Sequence, residues 1–356
     1  VANIRDVSLR NINAGAVLPS FAGLTNLRSL TLVQNGAPID LPALTLATGG
    51  NLSVTADGAI TQSGALSVPG TSFFSAGANP ITLSNTTNTF TGAVSLNNSG
   101  TNNVSLFNNT SLVIAASTLG DGFLNVTANG SISQSGAINK SAGGNSTFTV
   151  DTATNQDVLL HTAANDFGGS LVTYTTANGG SIRDIGLRDD NAGASLNGLP
   201  VSGRNFDLHF GSASMVLPGL TATGHLNVTA NGIADAGALT VTGTTSLTAG
   251  AGNNIDLDNA NDFGSTLTVV SGQNVTLVDT NSLDLGPSTV TGNLNVTTSG
   301  AITDSGVISV GGTTTSVGGV TTSIGTTTSV GGVTTSVGGV TTSVGGVTTS
   351  VGGVTT

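Results

Sequence analysis

One short run of residues is written four times in this chain: LSVTADGAITQSGALS (52–67), LNVTANGSISQSGAIN (124–139), LNVTANGIADAGALT (226–240) and LNVTTSGAITDSGVIS (294–309). Self-similarity of this kind marks a fold made by stacking one supersecondary unit on the next. Leu52, Leu124, Leu226 and Leu294 stand at the same point of the four copies. A longer echo surrounds them, NIRDVSLRNINAGA (3–16) returning as SIRDIGLRDDNAGA (181–194). A third echo runs through NTFTGAV (88–94), NDFGGSL (165–171) and NDFGSTL (261–267). It couples Asn88 to Phe90, Asn165 to Phe167 and Asn261 to Phe263.

The finer rhythm names the unit. Apolar pairs separated by one residue recur, as in Ile255/Leu257, Leu267/Val269, Val275/Leu277, Leu283/Leu285 and Leu294/Val296. Thr, Ser, Asn or Asp fills the gaps, so each pair belongs to a short strand with one apolar and one polar face. Gly, Asn, Asp and Ser separate the strands. Three such strands and their turns predict a coil of roughly 20–25 residues. Strands this short gain little from hairpin pairing, whereas stacked coils bond each strand on both sides. The expectation is an all-β solenoid without significant helix, with an array of sandwiches as the competing arrangement. The Asn-x-Phe copies predict an Asn turn ladder beside an internal Phe, with Gly relieving the corner.

Composition agrees. Charged residues are 7% of the chain, and Lys140 is its only lysine. Amphipathic helices need a charged outer face and have none here, while Val, Thr, Ile and Asn suit strands and turns. Hydrophobic residues reach 37%, enough for a core. No apolar run approaches the roughly 20 residues of a membrane span. The formal charge of −11 leaves no basic footprint for nucleic acid. The absence of Cys removes disulfides and thiolate metal sites. The chain opens at Val1 without a signal-peptide pattern and reads as an excerpt of a longer protein.

TGTTSLTAGAGNNIDLDNANDFGSTLTV, NVTLVDTNSLDLGPSTVTGNLNVT and GNLNVTTSGAITDSGVISVGGTTT resemble the repeats of large bacterial exoproteins of filamentous-haemagglutinin type. The resemblance spans about residues 1–310 and is best over 224–310. It implies a right-handed parallel β-helix, export by a two-partner or related route, and display on the cell surface as an adhesin or matrix filament. The family's secretion domain is not recognisable, although ANPITL (78–83) carries an Asn-Pro like that of its motif.

The organisation expected is therefore a solenoid over 1–310, in super-units of about 1–177 and 178–310. After it comes a low-complexity SVGGVTT segment, 311–356, as solenoid continuation or stalk. Two places hold enough aspartate to suggest Ca²⁺. SIRDIGLRDDNAG offers Asp184, Asp189 and Asp190 beside Arg183 and Arg188; NNIDLDNANDFG offers Asp256, Asp258 and Asp262, of which alternation puts Asp256 and Asp258 together on the outer face. Solvated aspartates and exposed Arg–Asp pairs are the expected reading of both. His161, His209 and His225 lack ligand spacing. No catalytic residue, metal or cofactor is assigned.

The function expected is a non-catalytic structural and adhesive segment of an extracellular, biofilm-type filament. It would self-associate and attach to a neighbouring cell, a host surface or a glycan. A polysaccharide-active β-helix enzyme is the first alternative, and an ice- or mineral-binding face the second.

Overall fold

The computed structural model describes residues 4–15 and 17–318, and beyond them the backbone of four strands, Thr321–Ser323, Thr327–Ser329, Val333–Val337 and Val347–Val351. The side chains of residues 319–356, most of the SVGGVTT segment, lie outside the described residues. Every regular element among those described is a strand. The chain forms two compact units, Val1–Pro200 and Val201–Thr356. No helix among the described residues is long and apolar enough to cross a membrane.

Each copy of the repeated run forms one full coil. In the first, the strands are Asn51–Ala56, Ile60–Gln62 and Leu66–Val68. The next coil lays Ser72–Ser75, Ile81–Leu83 and Thr89–Phe90 over them in parallel, pairing Leu52 with Ser72, Ile60 with Ile81 and Ser67 with Thr89. The chain is a parallel β-solenoid. A sandwich is excluded, because its hairpins require antiparallel neighbours. The advance per coil varies from 14 residues, where Val333 meets Val347, to 27, where Val158 meets Ile185.

The two-residue period decides what is inside. Asn51–Ala56 buries Leu52, Val54 and Ala56 and turns Asn51, Ser53 and Thr55 outward. In-register stacking then sets inward over inward: Val54 beside Phe74, Phe74 beside Leu96. In the second unit Val228, Leu247 and Val269 form the same kind of column. Each fully buried Leu, Val or Phe contributes roughly 1.5–3 kcal/mol. Phe rings add edge-on contacts, with Phe74 and Phe90 6.0 Å apart and Phe148 and Phe167 6.2 Å apart. Leu52, Leu124, Leu226, Leu294, Phe90, Phe167 and Phe263 are all buried.

Glycine at the coil corners answers to crowding. A Cβ on Gly64 would strike the backbone of Ala43 in the coil below, and one on Gly136 would stand 2.5 Å from the Ala116 nitrogen. These glycines are absent from those with positive φ. After the Asn165–Phe167 pair Gly168 does take a positive φ of 65°, the expected relief of a sharp turn, whereas Gly64 and Gly136 relieve coil-on-coil contact.

Candidate functional site

The most organised polar groups lie inside the coils. Asn88 is fully buried. Its Oδ1 accepts the Leu66 N–H at 2.9 Å and the Gln62 amide at 2.8 Å, and its Nδ2 donates to Gln62 Oε1 at 2.8 Å. Gln62 belongs to the coil beneath. The coil above supplies Asn108, whose Oδ1 accepts the Phe90 N–H at 2.7 Å. Asn165 repeats the arrangement with Gln134 below, at 3.0 Å in both directions, and Asp189 above, which accepts the Phe167 N–H at 3.2 Å. In the second unit Asn261 donates to Asp235 at 2.9 Å, and Asp279 accepts the Phe263 N–H at 2.8 Å.

Each is a three-coil column: Gln62–Asn88–Asn108, Gln134–Asn165–Asp189 and Asp235–Asn261–Asp279. Asn88, Asn165 and Asn261 lie in separate columns, bonded to Gln62, Gln134 and Asp235 and not to one another, so the expected ladder does not run through the Asn-x-Phe positions. A true ladder occurs elsewhere. Asn254 Oδ1 accepts the Asn274 N–H at 3.2 Å, Asn274 Oδ1 that of Asn293 at 3.1 Å, and Asn293 Oδ1 that of Thr313 at 2.8 Å.

The charged stretch 181–193 divides on folding. Asp189 turns inward and is buried, with its carboxylate also accepting the Asn191 N–H at 3.1 Å. Asn11, its counterpart in the 3–16 echo, accepts Asn13 N–H in the same turn at 2.9 Å. An amide therefore fills the place as well as a carboxylate. Burial pushes the Asp189 carboxyl above the usual range, against its two backbone hydrogen bonds. Asp190 is held by Arg188 through bonds of 3.0 and 2.8 Å, and that hydrogen bonding raises the arginine's pKa. Arg183 grips Asp157 of the previous coil at 2.8 and 2.6 Å and lies 4.0 Å from Asp184. The three aspartates thus face different partners. Asp256 and Asp258 are exposed on one face of Ile255–Phe263. Among the described residues no three His or Asp side chains converge as a metal site.

The pattern Repeats of unknown function (DUF5649) matches residues 27–97, 101–174, 203–270 and 272–324, about three quarters of the chain. The chain belongs to this DUF5649 family. Each matched DUF5649 repeat contains one copy of the repeated coil, and the first three also contain one Asn-x-Phe. A DUF5649 repeat is thus several coils, and each of those three holds the first two members of a polar column whose third, Asn108, Asp189 or Asp279, lies beyond its matched end. No curated protein and no solved structure matches the chain.

Sequence reasoning singled out Asn88, Asn165 and Asn261 but not their partners. Gln62, Gln134 and Asp235 occupy one position of the repeated run (ITQ, ISQ, IAD), and a polar residue at an inward-phased place was the available signal. Lys140 was also missed. It stands where the other copies have Val68, Val241 and Val310.

Proposed function

We propose that this chain is a structural and adhesive segment of an exported bacterial surface or matrix filament of filamentous-haemagglutinin type, and that it is not an enzyme. The observation that carries the reading is the regular outer face. Thr82, Ser105, Asn125, Thr147 and Thr173 stand side by side on consecutive coils, a column of short uncharged polar groups. Buried polar columns hold the coils in register, and repetition multiplies weak outer contacts into useful avidity. Neighbouring copies, cell surfaces and glycans are the partners that such a face suits.

Beads coated with the chain should be retained under flow on glycan- or cell-coated surfaces. Light scattering and electron microscopy of 1–310 and 1–356 should reveal filaments or lateral assemblies. Monodisperse monomers that cleave an acidic polysaccharide would overturn the proposal in favour of an enzyme.

One observation favours a second reading. Thr147 and Thr149 lie in register with Thr173 and Thr175, giving two ranks of Thr-x-Thr on one sheet. A lattice such as ice fits ranks of this kind. Thermal hysteresis above that of a charge-matched control protein would support it. The 2.8 Å bond between the Thr149 and Thr175 hydroxyls, which ties these groups to each other, weighs against it.

A further inference from the structure

The chain's single lysine occupies a core position. In the third strand of the repeated coil the inward residues are Leu66 and Val68, Leu239 and Val241, Ile308 and Val310; the second copy has Ile138 and Lys140. Lys140 is only 4% exposed. It lies in register with Leu119 of the coil below, and its Nζ donates to the Ser141 carbonyl oxygen at 3.2 Å. Burying an ammonium is unfavourable unless it is well paired. Desolvation accordingly lowers the amine's pKa, and nearby Asp121 opposes this only in part.

Lys140 also borders the surface. With buried Leu119 it floors a depression whose exposed rim is Thr118, Asn139, Ser141 and Asp166. The Asp166 carboxylate is fixed there by the Gly168 N–H at 2.8 Å and the Asn191 amide at 2.9 Å.

We propose that this depression is a carbonyl-binding site in which Lys140 forms an imine with a small uncharged aldehyde, the open-chain form of a reducing sugar included. A desolvated lysine amine is an activated nucleophile towards carbonyls. Its Nζ lone pair bonds to the carbonyl carbon while the C=O π pair moves to oxygen, which takes up a proton. The carbinolamine then loses that oxygen as water, leaving C=N. Amine and aldehyde give imine and water, and no oxidant or reductant enters. The short polar side chains of Thr118, Asn139 and Ser141 suit a hydroxylated ligand. Asp166 and Asp121 disfavour an anionic one. The proposal rests on the placement of Lys140 and is independent of the adhesive reading.

The test uses the full chain. Glycolaldehyde and cyanoborohydride are added to folded and to urea-unfolded protein, and peptide mapping separates Lys140 from the terminal amine. Lys140 should be alkylated faster in the folded state, by about tenfold for each unit that its pKa is lowered. Anionic glyoxylate should lose ground to glycolaldehyde on folding. Equal or slower reaction in the folded chain overturns the proposal, as does a glyoxylate-to-glycolaldehyde ratio that folding leaves unchanged. In Lys140→Arg, addition at this position should vanish while the terminal amine still reacts; persistence of the addition elsewhere on the same strand would place the reactive group wrongly.

Discussion

The columns Gln62–Asn88–Asn108 and Asp235–Asn261–Asp279 make the same connections with different charge. In both, an inner Asn accepts a backbone N–H of the coil below, at 2.9 Å from Leu66 and 2.8 Å from Leu239. In both, the following Phe N–H is taken by the coil above. The architecture therefore demands acceptors at two points and is indifferent to whether they are amides or carboxylates. What differs is the electrostatic cost. Residues 1–200 set ten Asp against six Arg or Lys, while residues 201–356 set eight Asp against Arg204 alone. The second unit thus holds buried carboxylates in a region with few cations to offset them.

Removing the central asparagine should separate the two columns most. Asn261→Leu strips the Asp235 carboxylate of its buried amide donor, and loss of one partner of a buried charge costs about 3–5 kcal/mol. Asn88→Leu leaves a neutral amide unsatisfied and should cost about 1–3 kcal/mol. Urea unfolding of both variants measures the gap; equal losses would mean that charge plays no part in the difference.

The corner glycines give a smaller contrast. Gly64→Ala drives a methyl into Ala43 backbone and should cost about 1–3 kcal/mol, the usual range for overpacking. At Gly237 the nearest atoms, the nitrogen and Cα of Gly219, stand 2.9 and 3.0 Å from a new Cβ, so Gly237→Ala should cost less. Melting curves of the pair decide the order.

The pH response should be smaller still and carried by the carboxylates. Burial raises the Asp279 carboxyl above its usual value; bonds from Phe263 and Asn281 work against the shift, and Asp262 adds to it. A raised carboxyl holds its proton more tightly in the folded state. Its contribution to stability is thus greatest below the unfolded value of about 3.9 and declines as pH rises through the folded one. Asp279→Asn and Asp189→Asn should each flatten this decline, and Asn108→Asp should steepen it. Denaturant midpoints collected from pH 3 upward test the sign, and a wild-type stability that climbs through that window would refute the assignment.

Least sensitive of all should be the surface pair. Arg183 is 43% exposed, and its bond to Asp157 is open to salt. Arg183→Ala should change stability by less than about 1 kcal/mol. A larger loss would show that the charged stretch braces the coils as the buried columns do.

Much of the fold was legible in the residues. Leu52, Leu124, Leu226 and Leu294 announce the coil because stacking needs the same inward residue at the same phase. Phe90, Phe167 and Phe263 were readable as internal for the same reason. The candidate site was less legible. Asp189 looked like one of three clustered acids, yet the strand Ile182–Asp189 shifts register against its neighbour between Gln156 and Val158. A bulge of that kind re-aims the side chains that follow it. Nothing in the sequence marked Lys140 as buried, since lysine is usually on the surface.

Sequence alone determined the class of structure and the inward set, since a two-residue period and a repeated coil leave few ways to bury the apolar face. Only the tertiary structure decided which polar groups meet. Gln62 finds Asn88 across 26 positions and Gln134 finds Asn165 across 31. Those separations follow from turn lengths that make one coil 19 residues and another 26. Each turn is a local choice among loop geometries, but the partner at the next level depends on all the turns between. Local pattern therefore says that a polar residue points inward, while the stacking register selects what it touches.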